Sequence, residues 1–376
     1  MAIVASRDEA RCRVGVHYSV RMSASATPMN PVLVEALRGG TRESTHRGAV
    51  AVLDAGGAVV AAIGDIDRPI FPRSAVKLLQ AIPLVESGAA EQLGLDDEEL
   101  AVACASHNGE PAHTAVVARM LGKAGLDASA LECGTHWPYL DVVSRAIAAA
   151  GREPDPLNNN CSGKHAGFLC LACRLGATSG GADLRRYAKG YVGATHPVMR
   201  EVTAALQAAT GFDLERAPRG TDGCSIPTFA IPLRHLAHAF ARVGSGVGLG
   251  AGAARAARRL REAVARRPFM AAGSARFDTR VMERLGERVY CKVGAEGVFC
   301  AAFPELGLGV AIKIDDGNNA RAAEVAMAAA IEAFVALDDG DASFMRGLSD
   351  VLLRNWNGIE VGALRAASEM RAALRR

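Results

Sequence analysis

Aromatic residues are scarce in this chain: they make up 5% of 376 residues, and only two are tryptophan. A core short of large rings must be packed from small and branched aliphatic side chains, and 40 glycines point to many turns and close backbone approaches. Net charge is also nearly absent. Lys and Arg number 43 against 40 Asp and Glu, a balance of +3 that argues against a surface built around a phosphate backbone or an anionic membrane. No uninterrupted apolar run is long enough to span a bilayer, and the first residues mix acids and bases without an apolar secretory segment. The nine cysteines are odd in number and lack framework spacing, which excludes a disulfide scaffold and favours a reducing, cytoplasmic compartment. What is present is the composition of a packed globular protein, 50% hydrophobic and 22% charged. The length exceeds that at which a single core usually stops growing, so two lobes are expected.

Residues 1–28 are polar and Ser-rich and read as a leader or extension outside the fold, leaving 29–376 as one domain. From Gly48 to Asp65 two β-runs flank the turn Ala55-Gly56-Gly57, a hairpin pattern. After Pro72 the spacing of Ala75, Leu78, Leu79, Ile82 and Val85 becomes helical, with Pro83 expected to kink or divide the helix. Helical spacing then dominates to about residue 285, including the segment PTFAIPLRHLAHAFARV. Three β-rich segments follow, RVYCKVG, EGVFCAAFP and LGVAIKIDDG, and then a long amphipathic helix from Asn319, with Asn318 or Asn319 as its cap. The economical topology is an α+β fold. A mostly antiparallel sheet is built from both chain ends (about 45–70 and 285–376), with a helical lobe (about 74–284) between them and the active cleft at their junction.

Three clusters can carry chemistry. Ser74-Ala-Val-Lys77 places a hydroxyl and an amine three residues apart on one helical face, the arrangement in which a desolvated lysine serves as base for a serine nucleophile. Ser106-His107-Asn108 and Lys292-Val293-Gly294 follow in the order of the S-x-x-K, S-x-N and K-T-G motifs of penicillin-recognising serine enzymes. A 32-residue interval between Ser74 and Ser106, and Val293 in place of threonine, argue against a β-lactam substrate. A pair of Ser and Lys tandems remains, Ser74 with Lys77 and Ser106 with Lys292. Asn158–Gly167 and Arg219–Pro227 are polar, Gly-punctuated loops expected to open into helices; they carry Cys161, Lys164 and His165, and Asp222 and Cys224. Two thiols with a third donor suit zinc, although the spacing by itself fits two structural thiols better. Cys170 and Cys173 lie on an apolar helical stripe, while Cys104, Cys291 and Cys300 lie in apolar strand-like runs; all five read as core. Glu43, His46 and Arg47 precede the first strand, where a lone histidine is more often structural, and the Arg255–Arg267 cluster reads as a solvated helix face.

The segments ESTHRG, FPRSAVKLLQA, CASHNGEPAH, NNNCSGKHAGFL, GTDGCSIPTFAIPL and KVGAEGVF together resemble the Rhizobium etli-type (class 3) L-asparaginases of the asparaginase II family, from about residue 31 to about 365. The resemblance implies a fold like those of serine β-lactamases and glutaminases, and hydrolysis of L-asparagine to L-aspartate and ammonia. By motif it puts the nucleophile and its partner at Ser74 and Lys77 and a second tandem at Ser106 and Lys292. It puts a zinc ion, not essential to the chemical step, on Cys161, Lys164 and Cys224. Asp222 would hold the substrate α-amino group, with Arg73, Asn108 and His165 around the substrate, and the protein would be a homodimer. Competing readings are a β-lactamase-like hydrolase, a glutaminase, and a non-catalytic zinc or amino-acid sensor.

Overall fold

The computed structural model describes residues 29–178 and 183–375; the expected leader at 1–28 lies outside them. Eight strands form one antiparallel sheet: β1 Val32–Arg38, β2 Thr41–Asp54, β3 Val59–Ile63, β4 Tyr290–Val293, β5 Val298–Phe303, β6 Leu308–Ile314, β7 Asp350–Arg354 and β8 Glu360–Ala366. Their order is β7-β8-β1-β2-β6-β5-β4, with β3 also paired to β2. The long strand β2 is the hub. Its first half pairs with β1, and its second half runs between β6 and β3 with Val50 opposite both Ile312 and Ile63.

The hairpin at Ala55-Gly56-Gly57 and the three late strands form as expected, so the sheet does draw on both chain ends. It is wider than expected, because β1, β7 and β8 were not foreseen. β7 carries exposed Leu352, and β8 starts at exposed Glu360 on a run with little strict alternation, so their pairing comes from contact with β1 rather than from local pattern. β5 is buried at every position, as a strand must be when both sheet faces are covered. Helix Leu233–Ser245 covers one face of β2 and β6. A Cβ at Gly309 would meet the Ala237 carbonyl oxygen at 2.0 Å, which only glycine's missing side chain permits. Helix Glu324–Phe334 covers the opposite face, flanked by helix Asp339–Ser349, which also touches β7 and β8, and by helix Ser368–Leu374, which also packs on β1 and β3.

Local expectations fail where tertiary packing overrides spacing. Pro83 lies inside one continuous helix, Lys77–Glu86: only the bond to the Leu79 carbonyl is lost, and the helix ends within a turn. The last long helix is buried nearly all round from Ala322 to Ile331 rather than amphipathic, because it lies between the sheet and the outer helices. It starts as a π-turn, Asn319–Ala323, capped by Asn318 whose Oδ1 accepts the Arg321 N–H at 3.0 Å. The loop around Asp222 opens into a ribbon, Arg219–Thr221 with Pro227–Phe229, and not into a helix; Pro227 and Pro232 delay the following helix to Leu233. Cys104 is buried at a helix end rather than in a strand, with Cys170, Cys291 and Cys300 also buried and Cys173 half-buried.

Candidate active site

Ser74 stands at the mouth of the helical lobe because a 3₁₀ turn, Arg73–Val76, feeds the Lys77–Glu86 helix. Arg73 adopts φ +51°, a left-handed conformation that costs a non-glycine residue roughly 1–2 kcal/mol. Such stored strain next to a half-buried serine is characteristic of functional turns. A cleft of about 430 Å³ opens there between sheet and helical lobe, lined by residues that include Ser74, Ser106, Asn108, Asn160, Arg276, Gly294 and Asn319.

Lys77 is buried beneath this cleft, and its Nζ donates to Ser106 Oγ at 3.0 Å, to the Ala105 carbonyl at 2.5 Å and to Cys161 Sγ at 3.2 Å. The first tandem therefore pairs differently from the expectation: Lys77 bonds to Ser106, while Ser74, whose hydroxyl has no hydrogen-bond partner among the described residues, faces the cleft. The reason is geometric. Lys77 opens the α-helix and its long side chain runs inward to the loop at Ala105-Ser106, which also bonds Ala271 through the Ser106 N–H. Burial pushes the Lys77 amine down and Lys164 pushes it the same way, against an opposing pull from the thiols.

Lys292 is likewise fully buried, on β4, but it does not reach Ser106 within hydrogen-bond distance. Its Nζ donates to the Val293 carbonyl at 3.0 Å and lies 3.6 Å from Asp278 Oδ2. Burial pushes Lys292 down to about 8, with Asp278 opposing. Asp278 also accepts the Val293 N–H at 3.0 Å, and its Oδ1 is buried with no partner among the described residues.

The thiols meet the second lysine. Lys164, on helix Ser162–Thr178, donates to Cys224 Sγ at 3.0 Å, and Cys224 in turn donates to Cys161. This holds the Cys161 thiol well below its usual range, chiefly through that hydrogen bond, and pushes Cys224 up. Although burial alone would lower Lys164, the two sulfurs hold it above the ordinary lysine value. Cys161 and Lys164 on one segment and Cys224 on another thus converge. Among the described residues no three His, Cys, Asp or Glu side chains form a metal cluster.

Asp222 is ion-paired to Arg73, Nε to Oδ1 at 2.8 Å, and it stays below the usual carboxylate range: burial opposes this and is outweighed by Lys164 and Arg73. His165 is sealed beneath the site, Nδ1 to Tyr191 Oη at 2.6 Å, and does not line the cleft. Asn108 does line it, receiving Arg276 Nη1 on its Oδ1 at 3.2 Å. Sequence reasoning missed Arg276, Asp278 and Glu324, which belong to no motif, and offered Asn319, which lines the cleft, as a capping residue.

A cleft walled by serines over buried lysines is the equipment of a hydrolase. The family model for L-asparaginase II matches residues 34–366, and the chain belongs to this family. No curated protein matches it. Among solved structures, a β-lactamase from Mycobacterium bovis is 16% identical over 72% of this chain and 88% of its own, with a TM-score of 0.33. Mglu is 15% identical over 74% of this chain and 64% of its own, also at 0.33.

Proposed function

We propose that this chain is an L-asparagine amidohydrolase that releases ammonia and L-aspartate by acyl transfer through a serine. The observation that carries the reading is the cleft itself, where the unpartnered Ser74 hydroxyl shares a wall with Ser106, already bonded to a buried lysine at 3.0 Å. Neutral Lys77 takes the Ser106 proton as Ser106 takes that of Ser74, so Ser74 Oγ bonds to the amide carbon of asparagine. The backbone N–H groups of Ser74 and Ala295, both on the cleft and without an acceptor among the described residues, receive the oxyanion. The C–N bond breaks, the relayed proton leaves with ammonia, and water then cleaves the ester to aspartate. Lys292 supplies positive potential to the same wall; Asp222, paired to Arg73 and outside the cleft lining, would answer the α-ammonium only on release from that pair.

Cys161, Lys164 and Cys224 would hold a zinc ion. Two soft thiols and an amine in contact are a suitable donor set, and binding would release their protons. Bound zinc would supply a fixed positive charge at the substrate end of the pocket. A homodimer in the cytoplasm completes the proposal. Among the described residues no helix is long and apolar enough to cross a membrane, and the eight cysteines are free.

A second reading, with Ser106 as the nucleophile, is favoured by its direct bond to Lys77. Ammonia release by wild type, Ser74→Ala and Ser106→Ala, with mass spectrometry of the quenched enzyme, separates the two. The expected result is a loss of at least ~100-fold in Ser74→Ala and an acyl adduct on Ser74 in wild type. An adduct on Ser106 exchanges the roles, and wild type silent on asparagine but active on glutamine or nitrocefin moves the substrate assignment.

A further inference from the structure

Free asparagine differs from an asparagine inside a peptide by its α-carboxylate, so an enzyme for the free amino acid needs a cation where that group lies. Resting on the asparaginase reading, the question is which cation. Arg73 was the expected one, but it is spent on Asp222 at 2.8 Å and does not line the cleft. Lys77, Lys164 and Lys292 are buried behind the wall and already bonded. Of the residues that line the cleft, Arg276 alone carries a charge. Among the described residues it has no ion pair, and its Nη1 bonds only to neutral oxygens, Asn108 Oδ1 at 3.2 Å and the Ser106 carbonyl at 3.5 Å.

Asn319 lines the same cleft, and its Nδ2, the donor of the side-chain amide, forms no hydrogen bond among the described residues and is not sealed from solvent, whereas Oδ1 is the buried atom of the pair. An unbonded N–H donor on a cleft wall is free to meet an incoming acceptor. It sits on the first residue of the π-turn, an irregularity frequent at functional sites. The carboxyl whose field Arg276 feels, Glu324, is pushed up to about 7, mainly by burial and by Asp278, so the guanidinium is not fully neutralised from within the protein.

We infer that the guanidinium of Arg276 and the side-chain amide of Asn319 form the receptor for the substrate α-carboxylate, restricting the enzyme to free α-amino acids and rejecting asparagine within a peptide. A planar fork beside an amide donor suits a carboxylate, and an analogue with a neutral group there leaves both donors unanswered.

The test compares ammonia release from L-asparagine and from L-asparagine α-methylamide by wild type, Arg276→Gln, Arg276→Lys and Asn319→Ala. Wild type should favour the free acid by ~100-fold or more in kcat/KM, and Arg276→Gln should lose ~100-fold on asparagine, mostly in KM, while changing methylamide turnover less than ~3-fold. Arg276→Lys should recover part of the loss, and Asn319→Ala should fall ~10-fold on asparagine only. Equal use of both substrates by wild type, or an equal loss on both in Arg276→Gln, overturns the assignment. If Arg276→Gln does not fold, the Asn319→Ala selectivity decides alone. If wild type releases no ammonia from either substrate, the amidase reading has failed and binding decides the receptor. An L-aspartate-induced rise in melting temperature that Arg276→Gln or Asn319→Ala abolishes upholds it, and no rise, or an unchanged one, overturns it.

Discussion

Lys292 is the most instructive residue to perturb because its environment makes a signed, measurable statement about stability. Burial lowers its amine from 10.5 to about 8, a differential cost of roughly 3 kcal/mol for carrying the proton in the folded protein. A base whose folded pKa is depressed binds fewer protons when folded than when unfolded between the two values. Stability therefore rises with pH across about 8 to 10.5. Integrating this linkage from pH 7 to 9.5 recovers about 2 kcal/mol of the penalty. Wild type alone would hide the effect. The buried thiols of Cys104 and Cys170 are pushed up to about 12, so they oppose it by ionising first in the unfolded chain. The reference must keep those thiols and remove only the lysine, yet Lys292→Met alone would strand the Asp278 carboxylate, 1% exposed, without its cation. The double variant Lys292→Met/Asp278→Asn keeps an acceptor for the Val293 N–H and leaves no uncompensated charge. Urea unfolding of both proteins at pH 7 and 9.5 should show wild type gaining about 2 kcal/mol relative to the double variant. A difference that stays within about 0.5 kcal/mol refutes the idea that Lys292 titrates from a buried, depressed value.

Glu324 should show the opposite slope: pushed up to about 7 by burial and by Asp278, it contributes stability at pH 4.5 that is lost as pH rises to 7, up to roughly 3 kcal/mol. Glu324→Gln should remove that slope, read as melting temperatures at pH 5 and 8, and an unchanged difference between the two pH values rejects the assignment. Gly309→Ala should cost at least ~2 kcal/mol in denaturant unfolding, since its Cβ would meet the Ala237 carbonyl at 2.0 Å and only backbone could yield; a neutral effect would mean that the helix on β6 can slide. For the proposed metal, Cys224→Ser should lower zinc retained after dialysis to background, and retention at wild-type stoichiometry would exclude this thiol as a ligand.

What the sequence determined by itself is whatever short-range physics writes locally. The Gly56-Gly57 turn between β-runs, the strand triplet from Tyr290 to Ile314, and the Asn318 cap all formed as read, because turns, alternation and caps depend on neighbours a few residues apart. The motif residues also come together in space: Ser74, Ser106 and Asn108 line one cleft, and Cys161, Lys164 and Cys224 meet. Tertiary structure decided the rest. It assigned Lys77 to Ser106 and not to Ser74, because a buried amine goes to the acceptors that packing brings to it, and sequence spacing places only one side of that contact. It spent Arg73 on Asp222 and left Arg276 as the one charged residue lining the cleft, a choice between two arginines 203 residues apart that only the closing of the sheet against the helical lobe could make.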